Sequence, residues 1–220
     1  EPRRAPAEGL DARQRGTLYH HILATVYHQA GAGASLDDLL NCLEEIAGPI
    51  LDEAPRREGF RVTPWWERTR VAMLRSLRRT LVALETLDTR FQFRLAEQGF
   101  GRRQDASDPL VVEDGASDTF LLTGVIDRVD AATDGSLRIV DYKSGNVTAH
   151  SAAALMRGDD LQIALYALAA EVLLAEGQVV EGFYWSVAQA KASPLQLSKF
   201  ALEETAGPQA ASQVAVTRAW

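Results

Sequence analysis

Two aspartates and a lysine lie close together near the middle of this 220-residue chain. Asp127 follows one apolar stretch, and Asp141 and Lys143 end the next, with Tyr142 between them. Because side chains alternate along a strand, Asp141 and Lys143 are expected on one face. Hairpin pairing can bring Asp127 close to them, although the sequence leaves the register open. A surface ion pair at a hairpin tip is the simple interpretation of Asp-x-Lys alone.

A metal site is the alternative interpretation of these residues. Two carboxylates held together both stay ionised only if a cation neutralises them. Mg²⁺ prefers hard oxygen ligands and keeps several waters, and a lysine beside it can orient a water or stabilise negative charge. The chain uses twenty arginines and only three lysines. A lysine at position 143 therefore suggests that a compact ammonium group is required there.

Composition predicts a soluble globular protein, with 46% hydrophobic and 24% charged residues. No apolar run approaches the roughly 20 residues of a membrane span, so no membrane partner is expected. The single cysteine, Cys42, excludes an internal disulfide or a cysteine-built cluster within these residues and fits a reducing cytoplasm.

Positive charge is concentrated in one segment, although the formal net charge of the chain is −7. Residues 56–103 hold twelve arginines and five acids, so this segment is +7 and the remainder is −14. Two interpretations stay open: a solvated arginine-rich helix face, or a stripe that contacts phosphates beside an acidic metal site.

Helices are predicted in the first half of the chain and strands in most of the second. The predicted helices begin near Gly16, after Ser35 over residues 36–48, at Thr63-Pro64, and after Asp160 to near Gly177. The predicted strands cover residues 91–100, 119–130, 137–142 and 179–187, with a turn at Asp134-Gly135. Residues 201–220 are left unassigned.

Several other residues have two interpretations. Trp65 and Trp66 are expected to be core and staple residues at the start of their helix, with base stacking as the alternative. Asp159 and Asp160 are expected to cap the following helix. His150 lies in a loop, where contact with DNA is the less favoured interpretation.

Four short motifs occur in a fixed order along the chain: Gly16–His20 (GTLYH), Gly124–Arg128 (GVIDR), Asp141–Gly145 (DYKSG) and Gln162–Tyr166 (QIALY). Together they resemble the RecB-type nucleases of the PD-(D/E)XK superfamily. The strongest likeness is to the C-terminal nuclease domain of AddB-like helicase–nuclease subunits, over roughly residues 14–187.

The resemblance implies a role for five of these residues at a metal centre. Asp127 and Asp141 are the implied acidic metal ligands, and Lys143 is the implied catalytic lysine. The main-chain carbonyl of Tyr142 is an implied further oxygen ligand. His20 corresponds to the additional metal-site histidine of the RecB branch.

The resemblance also implies contacts with the substrate. Gln162 and Tyr166 match a Q-x-x-x-Y pair, whose spacing of four places both on one helical face. Glu97 matches a glutamate that often lies upstream of the acidic strand, and it is grouped with the substrate-binding residues.

The implied fold is α/β and restriction-endonuclease-like, with a central mixed sheet flanked by helices. We expect a helical part over residues 1–90 with the histidine motif and the Arg-rich helix, a nuclease core over 91–200, and a tail over 201–220. Some AddB-type domains carry an iron–sulfur cluster held by four cysteines, but Cys42 alone excludes such a cluster within this chain.

The implied function is hydrolysis of DNA phosphodiester bonds with Mg²⁺ or Mn²⁺, of which Mn²⁺ better tolerates imidazole ligation. We expect an exonuclease domain of a repair or recombination helicase–nuclease in the cytoplasm. The resemblance implies DNA and a helicase domain or subunit as partners, and no P-loop is present, so no ATP motor is expected within these residues. The alternative is a non-cleaving DNA-binding or scaffolding domain of such a complex.

Overall fold

The structure is a computed structural model that describes residues 7–102, 107–113, 119–174 and 177–219. The chain divides into two compact units, which we call the helical unit and the sheet unit. The helical unit comprises Glu1–Asp88, Tyr142–Asn146 and Ser186–Lys191. The sheet unit comprises Thr89–Asp141, Val147–Trp185 and Ala192–Trp220.

Three long helices form most of the helical unit. In chain order its elements are β1 (Ala7–Glu8), α1 (Ala12–Ala30), α2 (Leu36–Glu58), β2 (Phe60–Arg61) and α3 (Pro64–Leu87). The short strands β1 and β2 pair in parallel. Helix α1 begins four residues before Gly16, the predicted start, because Asp11 and Gln14 form a capping box.

Helix α2 extends ten residues past its predicted end. Ser35 caps it as predicted, but the helix continues through Pro49 and Pro55 to Glu58. Leu51 and Ala54 are fully buried on that extension. Their burial continues the apolar stripe of the first half, and it offsets the backbone hydrogen bonds that the prolines remove.

Helix α3 begins at Pro64 as predicted, and its two leading tryptophans have different environments. Trp66 is buried and makes an edge-to-face contact with Phe60 at 4.9 Å between ring centroids. Trp65 has 67% of its surface exposed. The prediction of a core residue is therefore confirmed for Trp66 and wrong for Trp65, because consecutive helical positions are about 100° apart.

The sheet unit contains the strands predicted for the second half of the chain, but the stretch predicted over residues 119–130 is divided at Thr123 between two sheets. Its elements are β3 (Gln92–Phe100), β4 (Leu110–Glu113), β5 (Thr119–Leu122), β6 (Gly124–Ala131), β7 (Leu137–Lys143), α4 (Ala152–Arg157), α5 (Gln162–Leu174), β8 (Val179–Ser186), β9 (Lys191–Gln196) and α6 (Gly207–Arg218). In the described part, the main sheet has the order β3-β6-β7-β8-β9, and β4 and β5 pair separately. The predicted end of α5 near Gly177 adjoins residues 175–176, which are outside the described ranges.

The main sheet contains both strand orientations. Strand β6 pairs antiparallel with β3 and with β7. Hydrogen bonds from Leu137 to Gln178 and from Val187 to Lys143 join β7 and β8 in parallel. The crossover between these two strands passes through α4 and α5, as a parallel pair requires. A mixed sheet flanked by helices confirms the predicted α/β class.

Helix α6 lies in the stretch left unassigned from sequence. Its buried residues are mostly alanines, including Ala210, Ala211 and Ala215. Alanines give a weak hydrophobic pattern, so the helix was missed. In the structure they permit close packing against α5, where Ser212 donates a hydrogen bond to the carbonyl of Ala164 at 2.9 Å.

None of the helices in the described residues is both long and apolar enough to cross a membrane.

Candidate active site

Pairing between β6 and β7 sets the positions of the two predicted acidic ligands. Arg128 is paired with Val140. Extending this antiparallel register by one step places Asp127 opposite Asp141, so the two carboxylates are expected on one face of the sheet. Both side chains are buried, with exposed fractions of 7% and 2%. This is the register that the sequence left open.

Glu97 extends the same row onto β3. Gln98 is paired with Ile126, so Glu97 lies opposite Asp127. A carboxylate oxygen of Glu97 and one of Asp127 lie within 4.8 Å of each other. Glu97 has a backbone φ of 51°, which is uncommon for a residue other than glycine and is often found at functional sites.

The row of acids suits a divalent cation. Glu97, Asp127 and Asp141 lie on three adjacent strands, and two of them are buried. Carboxylates as close as those of Glu97 and Asp127 repel each other unless a cation neutralises them. Their oxygens are hard ligands of the kind that Mg²⁺ and Mn²⁺ accept. The donor set therefore fits the metal that the sequence predicts.

The helical unit contains a second pair of possible ligand atoms. Nε2 of His20 on α1 lies 2.9 Å from the main-chain oxygen of Tyr142 at the end of β7. The two rings also make an edge-to-face contact, with centroids 5.9 Å apart. Two neighbouring ligands of an octahedral ion with bonds of 2.0–2.1 Å are about 3 Å apart. The pair is therefore spaced as two ligands of one ion would be.

Lys143 is the last residue of β7, and its side chain is half-buried. Its main-chain oxygen accepts a hydrogen bond of 2.9 Å from the amide of Val187. Strand alternation places its side chain on the face that Asp141 uses. The backbone bond fixes the strand end that carries the predicted catalytic lysine.

Helix α5 carries Gln162 and Tyr166 on its first turns. The Tyr166 ring lies over Gly124 at the start of β6, where a Cβ atom would come within 2.8 Å of the tyrosine hydroxyl. Tyr166 also makes an edge-to-face contact with Phe100, with centroids 6.0 Å apart. The glycine of the GVIDR motif thus leaves space for the tyrosine of the QIALY motif.

A buried charge cluster holds β6 and β7 in register. Arg128 donates to Asp130 at 2.5 Å, and Arg138 on β7 donates to the same carboxylate at 2.6 Å. All three side chains are at most 2% exposed, and the Arg138 guanidinium lies 4.7 Å from the centre of the Phe91 ring.

Asp130 and Arg138 are direct cross-strand partners. The same register aligns Asp127 with Asp141. The sequence alone does not predict this cluster, because alternating charges on a strand resemble a solvated face.

His150, Asp160 and Tyr184 form a second polar cluster in the sheet unit. His150 lies 2.6 Å from the Asp160 carboxylate, which also accepts a hydrogen bond from the Tyr184 hydroxyl. That hydroxyl accepts a hydrogen bond of 3.0 Å from the amide of Ile163 in the first turn of α5. Burial, followed by the interaction with Asp160, raises the pKa of Tyr184 and keeps it protonated.

This cluster corrects the predicted role of Asp160. Helix α5 begins at Gln162, and the Asp160 carboxylate binds His150 and Tyr184. Asp159 pairs with Arg157 at 2.7 Å. Neither aspartate therefore caps α5 as predicted, because the helix begins only at Gln162 and each carboxylate binds another side chain. The Tyr184 contact instead fixes the start of the helix that carries Gln162.

The arginines of the positively charged segment, residues 56–103, have mixed roles. Arg70 pairs with Asp52 at 2.9 Å, and Arg78 pairs with Glu44 at 3.1 Å. Arg79 donates to the carbonyl of Ala188 at 2.6 Å. These arginines stabilise the helical unit, so the interpretation as a structural, solvated face is favoured at their positions.

Comparison with known families assigns the chain to one class. The family model of the PD-(D/E)XK nuclease superfamily matches residues 2–219. The chain therefore belongs to the PD-(D/E)XK nuclease superfamily, and its mixed sheet is consistent with the restriction-endonuclease-like fold. Membership implies nuclease activity in general, a divalent metal and DNA as substrate. A comparison with curated proteins found no match.

Proposed function

We propose that this chain is the DNA-cleaving exonuclease domain of a RecB-type, AddB-like helicase–nuclease that acts in DNA repair or recombination. The observation that carries the proposal is the strand register. It supports a row of Glu97, Asp127 and Asp141 on three neighbouring strands. Lys143 lies two residues after Asp141 on the same strand. This arrangement of acids and an amine fits hydrolysis of a phosphodiester.

Asp127 and Asp141 are proposed as the principal metal ligands, and the position of Glu97 opposite Asp127 supports a third carboxylate. Glu97, grouped with the substrate-binding residues on sequence grounds, is thus better explained at the metal. His20 and the carbonyl of Tyr142 are proposed as further ligands, supported by their 2.9 Å separation. A bound Mg²⁺ or Mn²⁺ would lower the pKa of a water for attack on phosphorus.

The remaining motif residues are proposed to act on the water and the DNA. The Lys143 ammonium would orient the attacking water and balance the negative charge that develops on the phosphate oxygens. Gln162 and Tyr166 would contact the DNA strand from one face of α5. These assignments rest on the motif order and on the helical spacing.

The cellular setting is proposed from the sequence motifs. Their likeness to AddB-type domains supports a helicase domain or subunit as the partner. The single cysteine supports a cytoplasmic site of action and a domain without an iron–sulfur cluster within this chain.

Cleavage of labelled linear DNA in Mg²⁺, in Mn²⁺ and in EDTA tests the proposal. We expect degradation only with a divalent ion, and its loss in Asp141→Asn and Lys143→Ala. Glu204→Gln is a matched control, because this carboxylate is exposed at a distant sequence position. A closed circular substrate tests for exonuclease action, since an exonuclease needs an end.

The alternative function predicts a different result. A non-cleaving DNA-binding or scaffolding domain would bind the same DNA and leave it intact with both ions. Wild-type protein that binds but does not cut would favour that alternative over the nuclease.

A further inference from the structure

An exposed patch on the first half of α3 combines apolar and basic side chains. We call it the Trp65 patch, and it consists of Arg61, Val62, Trp65, Arg68, Val71 and Arg75. Trp65 is 67% exposed, Val62 60% and Val71 45%. Exposed apolar residues that cluster in this way mark interaction surfaces more often than isolated ones do.

Helical geometry explains why the patch faces solvent. Trp65, Arg68 and Arg75 are separated by three and seven residues, so they share one face and span about 15 Å along the axis. The opposite face carries the buried residues Trp66 and Met73. The patch is therefore not part of the core of the helical unit.

Trp65 has a defined cationic neighbour. The Arg68 guanidinium lies 5.1 Å from the centre of the indole ring. This cation–π contact limits the orientations of an otherwise exposed side chain. Beside it, Arg68, Val71 and Arg75 line a shallow groove of about 520 Å³. The indole and the groove together form a surface long enough to contact several groups of a ligand.

The charge of the patch favours an anionic ligand. Within the described part of the chain, Arg61, Arg68 and Arg75 make no ion pair, whereas Arg70 and Arg78 on the same segment do. Glu67, the acid in the groove, pairs with Arg70 at 3.3 Å. These three guanidinium groups therefore have no carboxylate partner among the described residues, and that of Arg68 lies against the exposed indole itself.

We propose that the Trp65 patch binds unpaired DNA, with a base stacked on the Trp65 indole and arginines on the flanking phosphates. Aromatic platforms beside basic grooves are typical of single-strand binding. A closed duplex stacks its bases on each other, so the indole needs an unpaired base. This inference rests on the proposed DNA-nuclease function for its choice of ligand, and it adds a contact outside the four motifs.

Fluorescence anisotropy of a labelled oligothymidylate tests the inference in EDTA, where cleavage cannot occur. We expect Trp65→Ala to weaken binding by about 5- to 150-fold, the range for loss of one stacked base. Trp65→Phe should retain most of the affinity. Arg68→Ala should weaken binding. It should also reduce the slope of log affinity against log salt concentration by about one.

Leu121→Ala is the matched control, because Leu121 is 65% exposed and lies in the sheet unit. It should bind as the wild type does, and circular dichroism should show equal folding of all variants. Unchanged binding by Trp65→Ala would overturn the inference. If Trp65→Ala weakened duplex and single-strand binding equally, the inference would also be overturned.

The test separates this inference from the proposed function. If the wild type never cleaves DNA but binds the oligonucleotide in a Trp65-dependent way, the nuclease proposal is wrong and DNA binding by the Trp65 patch is supported. If cleavage depends on Asp141 and binding is independent of Trp65, the nuclease proposal is supported and DNA binding by the Trp65 patch is wrong.

Discussion

His20 and Tyr142 are joined by a hydrogen bond, although 122 positions separate them in the sequence. Because a carbonyl oxygen can only accept, Nε2 of His20 donates the proton in this bond. The same nitrogen could bind a metal only after losing that proton. The pair therefore keeps two possible ligand atoms about 3 Å apart, which is the spacing of adjacent octahedral ligands.

Replacing this imidazole tests its proposed role at the metal. We expect His20→Ala to raise the Mg²⁺ or Mn²⁺ concentration for half-maximal DNA cleavage by at least about 10-fold, because losing a group that only orients a ligand already costs about 10- to 100-fold. Titration of nuclease activity with each ion measures the change.

His21→Ala is the control for this substitution, since the neighbouring histidine is also half-buried but points about 100° away around α1. It should leave the metal requirement unchanged. An equal shift in both variants would show that the effect comes from the helix and not from ligation.

The contact between Gly124 and Tyr166 gives a second prediction. A Cβ at Gly124 would lie 2.8 Å from the tyrosine hydroxyl and 2.9 Å from a ring carbon, so Gly124→Ala should displace the ring. We expect slower DNA cleavage with little loss of stability, because the ring is at the end of a rotatable side chain. Steady-state cleavage rates and thermal unfolding measure the two effects.

Gly16→Ala is the comparison, because a Cβ there meets nothing within 4 Å. It belongs to another motif and should leave the cleavage rate unchanged, while alanine inside helix α1 should stabilise the fold by about 0.5–1 kcal/mol. If Gly124→Ala cleaves DNA at the wild-type rate, Tyr166 does not need this position to support the reaction.

The buried charge cluster gives a third prediction. Asp130→Asn would leave the guanidinium groups of Arg128 and Arg138 buried beside a neutral partner. Breaking a buried ion pair on one side typically costs about 3–5 kcal/mol. Urea unfolding should show a loss of that size, whereas Asp134→Asn in the exposed turn of the same hairpin should cost less than about 0.5 kcal/mol.

Simultaneous apolar replacement distinguishes charge burial from packing. Changing Arg128, Asp130 and Arg138 together to apolar residues of similar volume should be less destabilising than Asp130→Asn alone. A triple variant that is less stable than the single one would show that the ion pairs themselves contribute most of the stability.

Gly177 gives a fourth prediction, independent of the active site. A Cβ at this position would overlap the main-chain carbonyl oxygen of Gly135, and backbone cannot move aside as a side-chain end can. We expect Gly177→Ala to destabilise the fold by at least about 1–3 kcal/mol in urea unfolding.

Gly48→Ala is the opposite case, because its Cβ would meet nothing within 4 Å inside helix α2. Alanine should stabilise that helix by about 0.5–1 kcal/mol. A neutral result for Gly177→Ala would mean that the turn containing Gly135 shifts freely.

Local chemistry allowed much of the chain to be predicted. The capping of α2 by Ser35, the start of α3 at Pro64 and the turn at Asp134-Gly135 each depend on a few adjacent residues. Most candidate site residues were implied by the family resemblance of four motifs, each five residues long and continuous in the sequence, and Glu97 was implied separately.

Other features depended on residues far apart in the chain. The continuation of α2 through two prolines, the alanine-rich α6 and the binding of Asp160 by Tyr184 all require partners that no short window contains. The exposure of Trp65 beside a buried Trp66 likewise depends on which face of α3 packs inward.

The sequence by itself determined the helical and β-rich segments, because these follow from local composition and periodicity. It also determined the residue types and order of the four motifs, whose family resemblance implied the site and the α/β fold. The tertiary structure decided that Asp127 aligns with Glu97 and Asp141 and that Tyr166 lies over Gly124. Strand register is set by the total packing and charge pairing across a sheet. A one-residue slip would turn every side chain to the other face without changing any local preference.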